Sequence, residues 1–337
     1  MKNQSNKESV RGTGNSAALC KLSSVQKGYY ADPFIQYFVQ KKEKVEPIMN
    51  RGFYMRVHAM DRLISQFLNA NSESSEGVQI IQLGGGKDTT FWRLRLSGEN
   101  EVVNKLVWYE IDFPRTIQEK LRIISRVPKL QEPIVGWPNK VLKKTSKGAE
   151  LHSPDYHLIC GDLRKTEDLH NSLQEHGVNF EIPTLFISEC VLVYVEPNSA
   201  DKLLGYITET FKLPFFVLYE PTNPLDNFGK QMMKNLSKMG CPLLAIEQYN
   251  SIESQIKRFQ KLGFNYVDVK NMKLLWDTLG KWEAENVDGQ KERKRIIRLE
   301  WFDELEEWNM IMSHYFVLYA AKNDQISQEK FIKIFGL

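Results

Sequence analysis

Three consecutive glycines, Gly84-Gly85-Gly86, directly follow the apolar run VQIIQL (78–83). Glycines at such a junction let backbone approach a ligand closely, and a following helix offers free N–H groups. The dinucleotide fingerprint G-x-G-x-x-G needs a glycine where Thr89 stands, so a pyrophosphate site is disfavoured. Acids close the apolar runs that follow. KLVWYEID (105–112) ends in Glu110-Ile111-Asp112, and an acid there can accept both hydroxyls of a ribose. Asp112, nearer the carboxyl edge, is the better placed, although it lies further from the turn than the usual ~20 residues. HLICGD (157–162) ends in Asp162, suited to accept from an adenine amino group, with Leu163 against the ring. Glu189 sits in the apolar run PTLFISECVLVYV, where an unpaired carboxylate is expensive to bury. A bound cation and a structural salt bridge are equal candidates for its partner. A glycine turn ringed by acids, with Lys87 as its only local cation, suits a cationic nucleoside without phosphate. S-adenosylmethionine, with its sulfonium, ammonium, ribose and adenine, has that character.

One cation stands out. In RGFYMRVHAMDRLISQFLN (51–69), a helix placed at ~100° per residue gathers Phe53, Val57, Met60, Leu63, Ile64, Phe67 and Leu68 in one sector. Arg51, His58 and Arg62 fall opposite, which makes His58 a surface residue and a poor general base. Arg56 falls inside the apolar sector. A guanidinium there must find an anion, either a ligand carboxylate held by its fork or a partner such as Glu110 or Glu189, or else snorkel to solvent.

The elements that position these residues alternate. Apolar runs at 78–83, 105–112, 157–162, 183–190, 215–221, 263–272 and 313–322 read as strands buried on both faces, with helices between. That order predicts an α/β fold, a mostly parallel sheet with helices on both faces. Upstream, residues 1–16 read as a disordered polar tail. Asp32-Pro33 predicts a helix from Pro33 to Lys42, and Asn50 a second helix cap. The segment 127–156, with four prolines, reads as a surface excursion, and 281–295 as a loop. Trp301, Leu305, Trp308 and Met312 read as a core stripe on one helix. With 45 Lys and Arg against 42 Asp and Glu, the 337-residue chain carries +3, no case for nucleic-acid binding. Its four cysteines form no CxxC pair, and its histidines do not cluster with them, so they predict reduced core thiols and no metal. The polar start is no signal peptide, and no apolar run approaches the ~18 residues of a membrane span.

At these residues the sequence resembles the leucine carboxyl methyltransferases, from about Val10 to Lys322. VRGTGNSAALCK, GYYADPFIQYFV, RGFYMRVHAM, QLGGGKDTTFWRL, EIDFP, GDLR, PTLFISECVLVYVEP, SIESQIKRF and LEWFDELEEWNMIMSHY carry the likeness, with DTTFWRL and ECVLVY the most specific. The family usually has a different small residue at Gly85 and an apolar one at Lys87. The resemblance implies a Rossmann-like class I S-adenosylmethionine-dependent methyltransferase. Its seven-stranded sheet would span 78–323, with inserted substrate-binding segments and an N-terminal helical lid over 17–70. It implies methylation of the C-terminal leucine of the protein phosphatase 2A catalytic subunit, recognised by its tail and its active-site face, and regulation of holoenzyme assembly. Cofactor contacts carry over to Lys21, Arg56, Gly84, Asp112, Asp162, Leu163 and Glu189. Lys21, Arg56 and Tyr194 carry over as the residues that orient the carboxylates. The expected protein is a cytoplasmic or also nuclear monomer.

A C-terminal carboxyl, pKa ~3.5, is ionised at neutral pH and needs no general base. The alternatives are the related wybutosine tRNA methyltransferase, a non-catalytic phosphatase-binding relative and an NAD-dependent oxidoreductase. Wybutosine enzymes carry a long repeat domain after the methyltransferase part, and this chain stops soon after its last strand. The missing glycine and the acidic strand ends argue against NAD.

Overall fold

The computed structural model describes residues 2–40, 43–97, 101–137, 141–145, 148–279 and 289–322. Among the described residues, nine strands form one sheet: β1 (Val78–Leu83), β2 (Leu106–Asp112), β3 (Val141–Thr145), β4 (Gly148–His152), β5 (Tyr156–Cys160), β6 (Thr184–Glu189), β7 (Pro214–Pro221), β8 (Tyr266–Asn271) and β9 (Tyr315–Ala321). Their order is β3-β4-β5-β2-β1-β6-β7-β9-β8. β5, β2, β1, β6 and β7 pair in parallel, while β9 runs antiparallel between β7 and β8. β1 and β7 are buried at every position, as unbroken apolar runs require. One apolar core lies on each face of the sheet, the first around Phe67, Trp92 and Trp108, the second around Leu173, Ile207 and Phe216. The strand order reverses between β1 and β6, where open α/β sheets form a ligand crevice at their carboxyl ends.

Within that order, the seven strands β5-β2-β1-β6-β7-β9-β8 make up the expected Rossmann-like, mostly parallel sheet. The strand count differs from the expected seven because 127–156 is not merely a surface excursion. It contributes the antiparallel hairpin β3–β4, which covers the otherwise free edge of β5. Flanking prolines and Lys143, Lys144 and Glu150 hide the alternation in the sequence.

The N-terminal expectations change more. Residues 2–26 form a single helix, α1 (Lys2–Gln26), where the sequence predicts a disordered tail to residue 16. Ala18 and Leu22 pack on Ile35, and Ser24 Oγ donates to the Asn50 carbonyl at 2.9 Å. Once that half is anchored, each further residue adds a backbone bond without a new nucleus. The predicted helix from Pro33 shrinks to a 3-10 turn, Ile35–Tyr37. Asp32 does cap it, accepting from Phe34 N at 2.9 Å and Ile35 N at 3.1 Å, but Ile35 and Phe38 reach different apolar clusters. Lys41 and Lys42 lie outside the described residues.

Helix α2 (Pro47–Ala70) begins before Asn50, at Pro47, whose fixed φ suits the first helical position. Asn50 instead donates to Glu300 at 2.9 Å. The side of α2 expected at the surface is covered. Arg51 is buried with its guanidinium 4.0 Å from the Phe302 ring centroid, and half-buried His58 stacks on Tyr54. Of the expected loop 281–295, residues from 289 belong to a helix, Gly289–Ile297, and 281–288 lie outside the described residues. The predicted tryptophan stripe is half right. Trp308 and Met312 are buried, but Trp301 is 85% and Leu305 58% exposed, because the helix begins only at Leu305 and the chain before it turns away. Among the described residues, no helix is long and apolar enough to cross a membrane.

Candidate active site

The glycine turn follows β1 because nothing larger fits. Gly84 has φ +71, and a Cβ there would lie 2.6 Å from Val191 Cγ2. A Cβ on Gly85 would lie 2.5 Å from Glu110 Oε2. That carboxylate cannot yield, because Lys120 Nζ and Tyr156 Oη donate to it at 2.5 and 2.7 Å. Glu110 is therefore the floor beneath the turn. Asp112, one pleat further along β2, lies at its mouth and accepts from Gly86 N at 2.8 Å and Phe113 N at 2.6 Å. Burial raises the Asp112 pKa, with those two N–H groups opposing the shift.

Lys21, Arg56, Gly84, Asp112, Asp162, Leu163, Glu189 and Tyr194 all line one cavity of about 690 Å³. Helix α1 brings Lys21 and α2 brings Arg56 over the carboxyl ends of β1 and β6. The two cations meet acids. Arg56 Nε donates to Glu189 Oε2 at 2.7 Å, and Lys21 Nζ lies 3.8 Å from the same oxygen. The Arg56 guanidinium stands 4.9 Å from the Tyr219 ring centroid. Burial alone would lower the Arg56 pKa, but the Glu189 carboxylate reverses this and raises it. The structure thus joins two sequence candidates, Arg56 and Glu189, in one charge-assisted pair.

Asp162 is also paired. Arg164 grips it with Nε on Oδ1 at 2.8 Å and Nη2 on Oδ2 at 2.5 Å, beside buried Leu163. Tyr194 follows the turn after Glu189 and packs beside Val193, Leu243 and Ile246. Burial raises its pKa, so its hydroxyl stays protonated. That turn is opened by Cys190 at φ +55, a conformation rare outside glycine. Cys20 and Cys190 also line the cavity, and burial pushes both thiols up to about 11 against the opposing Arg56 charge. None of the four cysteines is in a disulfide.

Three contributors were not singled out from the sequence. Asp88 holds Lys21 at 2.8 Å and accepts from Thr90 N at 2.8 Å, capping α3 (Thr90–Ser97). Burial acts to raise its pKa, but Lys21, Lys120 and Arg93 outweigh this and hold it low. The Asp-Thr-Thr string before a helix was its available signal. Tyr315, at the start of β9, lines the cavity and stacks on Tyr219. Glu220, buried on β7, accepts from Val193 N at 2.7 Å and so ties down the turn that carries Tyr194.

Burial pushes the Glu220 carboxyl up to about 7, with Arg258 and the backbone N–H groups of Val193, Leu192 and Val191 opposing. A carboxyl raised in the folded state favours folding below its unfolded pKa of ~4.3, and that contribution is lost as pH rises toward 7. Chemical-denaturation stability should therefore fall by about 3 kcal/mol across that window. Glu220→Gln should flatten this part of the curve. An unchanged pH slope in the variant would assign the titration elsewhere.

A family model described as "Leucine carboxyl methyltransferase" matches residues 10–208. Leucine carboxyl methyltransferase 1 of Rattus norvegicus is 37% identical over 320 residues, covering 94% of this chain and 91% of that protein. The Leucine carboxyl methyltransferase 1 homolog of Arabidopsis thaliana is 33% identical over 320 residues, covering 95% and 91%. The tRNA wybutosine-synthesizing protein 4 of Rattus norvegicus is 30% identical over 321 residues, covering 95% of this chain but 45% of that protein.

Proposed function

This chain belongs to the leucine carboxyl methyltransferase family, and from that premise we propose a specific reaction. It methylates the C-terminal leucine carboxylate of the protein phosphatase 2A catalytic subunit, with S-adenosylmethionine as donor, and thereby regulates holoenzyme assembly. One observation carries the reading. The glycine turn, the ribose-type acid and the clustered cations of α1 and α2 face a single cavity.

The residues present fit that cofactor. The cavity of about 690 Å³ is within the usual ligand range of about 300–1,000 Å³. The absent Cβ of Gly85 lets the turn seat closely on Glu110, and Asp112 stands at its mouth with its carboxylate already oriented by Gly86 N. In this reading Asp112 takes the ribose hydroxyls, and Asp162 and Leu163 take the adenine. Gly84 leaves room for close approach, and Lys21, Arg56 and Glu189 hold the amino-acid end. When bound, the cofactor supplies an electrophilic methyl on a sulfonium. The chain's own task is then to hold an already ionised carboxylate in line with it and to exclude water. No histidine lines the cavity among the described residues, in keeping with a reaction that needs no proton removed. Arg56 and Lys21 supply positive charge and Tyr194 a hydroxyl donor for orienting the carboxylates. Helices α1 and α2 act as the lid that dries the site.

The test is transfer of a labelled methyl group to purified phosphatase catalytic subunit. A base-labile ester should form on the intact subunit and not on one lacking its terminal leucine. Equal labelling of the shortened subunit, or labelling of tRNA in its place, would overturn the assignment.

A further inference from the structure

We propose that Glu150, His152 and His176 form a site for one divalent transition-metal ion, with zinc the best match to the donor set. The site lies outside the cavity, where the β3–β4 hairpin joins the sheet. Glu150 and His152 alternate along β4 and share a face, while Leu151 between them enters the core. His176 reaches the same face from the end of the helix Thr166–Glu175.

The ligand atoms already converge. Glu150 Oε2 lies 3.5 Å from His152 Nε2 and 3.5 Å from His176 Nε2, and the three atoms lie within 4.8 Å of one another. Such separations are long for hydrogen bonds. They are close to the ~3.3 Å edge of a tetrahedron of ligands about 2.05 Å from zinc. The carboxylate is 1% exposed, and neither its Oε2 nor His152 Nε2 has a hydrogen-bond partner. A buried carboxylate oxygen and an imidazole nitrogen left without hydrogen bonds are costly, and a shared cation satisfies them together.

The surrounding groups suit ligation. Glu150 Oε1 accepts from Cys160 N at 2.8 Å, which fixes the carboxylate and leaves Oε2 available. His152 Nδ1 lies 3.1 Å from His157 Nδ1. With that proton on His152, its Nε2 lone pair is free for a metal, the usual arrangement of a ligating histidine oriented by a second group. His157 is itself held by stacking on Tyr109, with ring centroids 4.5 Å apart. The His152 and His176 rings stack at 3.8 Å, so binding requires a small rotation that opens them toward the ion. Two imidazoles and one carboxylate are borderline ligands that suit zinc and leave a fourth position for water. The three ligands come from β4 and from the helix that follows β5. The ion would therefore clamp the hairpin to the end of the helix Thr166–Glu175. The histidines are far apart in sequence and near no cysteine, which is why the spacing alone predicts no metal.

The test uses the full chain, stripped with chelator and titrated with zinc sulfate, followed by calorimetry and thermal melting. One ion per chain and a higher melting temperature are expected. His152→Ala and His176→Ala should each weaken binding at least about 100-fold, more than loss of an orienting neighbour would. Cobalt(II) added to the unmodified chain should give the intense visible bands of a tetrahedral site, a readout that needs no variant to fold. No zinc binding by the unmodified chain, or binding that survives in folded His152→Ala and His176→Ala, would overturn the proposal.

Discussion

Arg56→Ala is expected to lower kcat/KM for methyl transfer by at least ~100-fold, the scale of one lost electrostatic stabiliser in a desolvated site. It should also destabilise the fold, which separates Arg56 from a residue that only touches ligand. Its Nε is the 2.7 Å partner of Glu189 Oε2, and both side chains are largely buried. Removing the guanidinium leaves that carboxylate with Lys21 at 3.8 Å, and Lys21 already serves Asp88 at 2.8 Å. Breaking such a pair costs about 3 kcal/mol, much of it from the stranded charge. Adding Glu189→Gln to Arg56→Ala should therefore recover most of the stability and none of the activity. The pair of readouts, denaturant midpoint and methyl transfer, decides the matter. Wild-type turnover in Arg56→Ala would remove the residue from the site, and an unchanged midpoint would show that Glu189 finds another partner.

Lys120→Met acts with no contact to the cavity. Lys120 Nζ donates to Glu110 Oε2 at 2.5 Å and to the Asp88 carbonyl at 2.7 Å, and both side chains of the ion pair are 1% exposed. The variant strands Glu110 in the core, at an expected cost of about 3–5 kcal/mol. It also frees the carboxylate that fills the space under Gly85 and the carbonyl that anchors Asp88. Cofactor affinity should fall along with stability. Lys120→Met combined with Glu110→Gln should restore much of the stability by removing the lone charge. Urea unfolding and isothermal cofactor titration measure the two effects. A loss below ~1 kcal/mol in the single variant would mean that Tyr156 alone satisfies Glu110.

What the sequence disclosed follows from the range of the interactions involved. Six of the seven expected strands were legible because burial on both faces writes itself as an apolar run. The seventh, β8, was expected to be buried on both faces but is an edge strand with only Val269 buried. Helix α1 was not, since its N-terminal half is polar and its apolar packing residues Ala18, Leu22 and Val25 all lie in the second half. The β3–β4 hairpin was obscured by prolines at its borders and lysines within it. At the candidate site, individual charges could be picked out because they interrupt apolar patterns, as Arg56 and Glu189 do. Their pairing could not, because α2 and β6 are brought together only by the fold. Asp88 was hidden for a different reason: a helix-capping aspartate looks ordinary until Lys21 arrives from α1. Trp301 misled in the opposite direction, since helical spacing continues on paper past the point where the helix Leu305–Ser313 begins.

Strand β9 bears on how the molecule is made. It is the last of the described strands to be synthesised, yet it lies between β7 and β8, with Tyr315 on the cavity wall. Until it inserts, β8 has no neighbour in the sheet and β7 has a bare edge. A chain still emerging from the ribosome can assemble β1, β2, β5, β6 and β7, but it must hold that edge open through the synthesis of everything between. The nascent protein is thus exposed to edge-to-edge association from the completion of β7 at Pro221 until β9, Tyr315–Ala321, is made. Closing the sheet and completing the aromatic wall of the pocket with Tyr315 therefore become one late event.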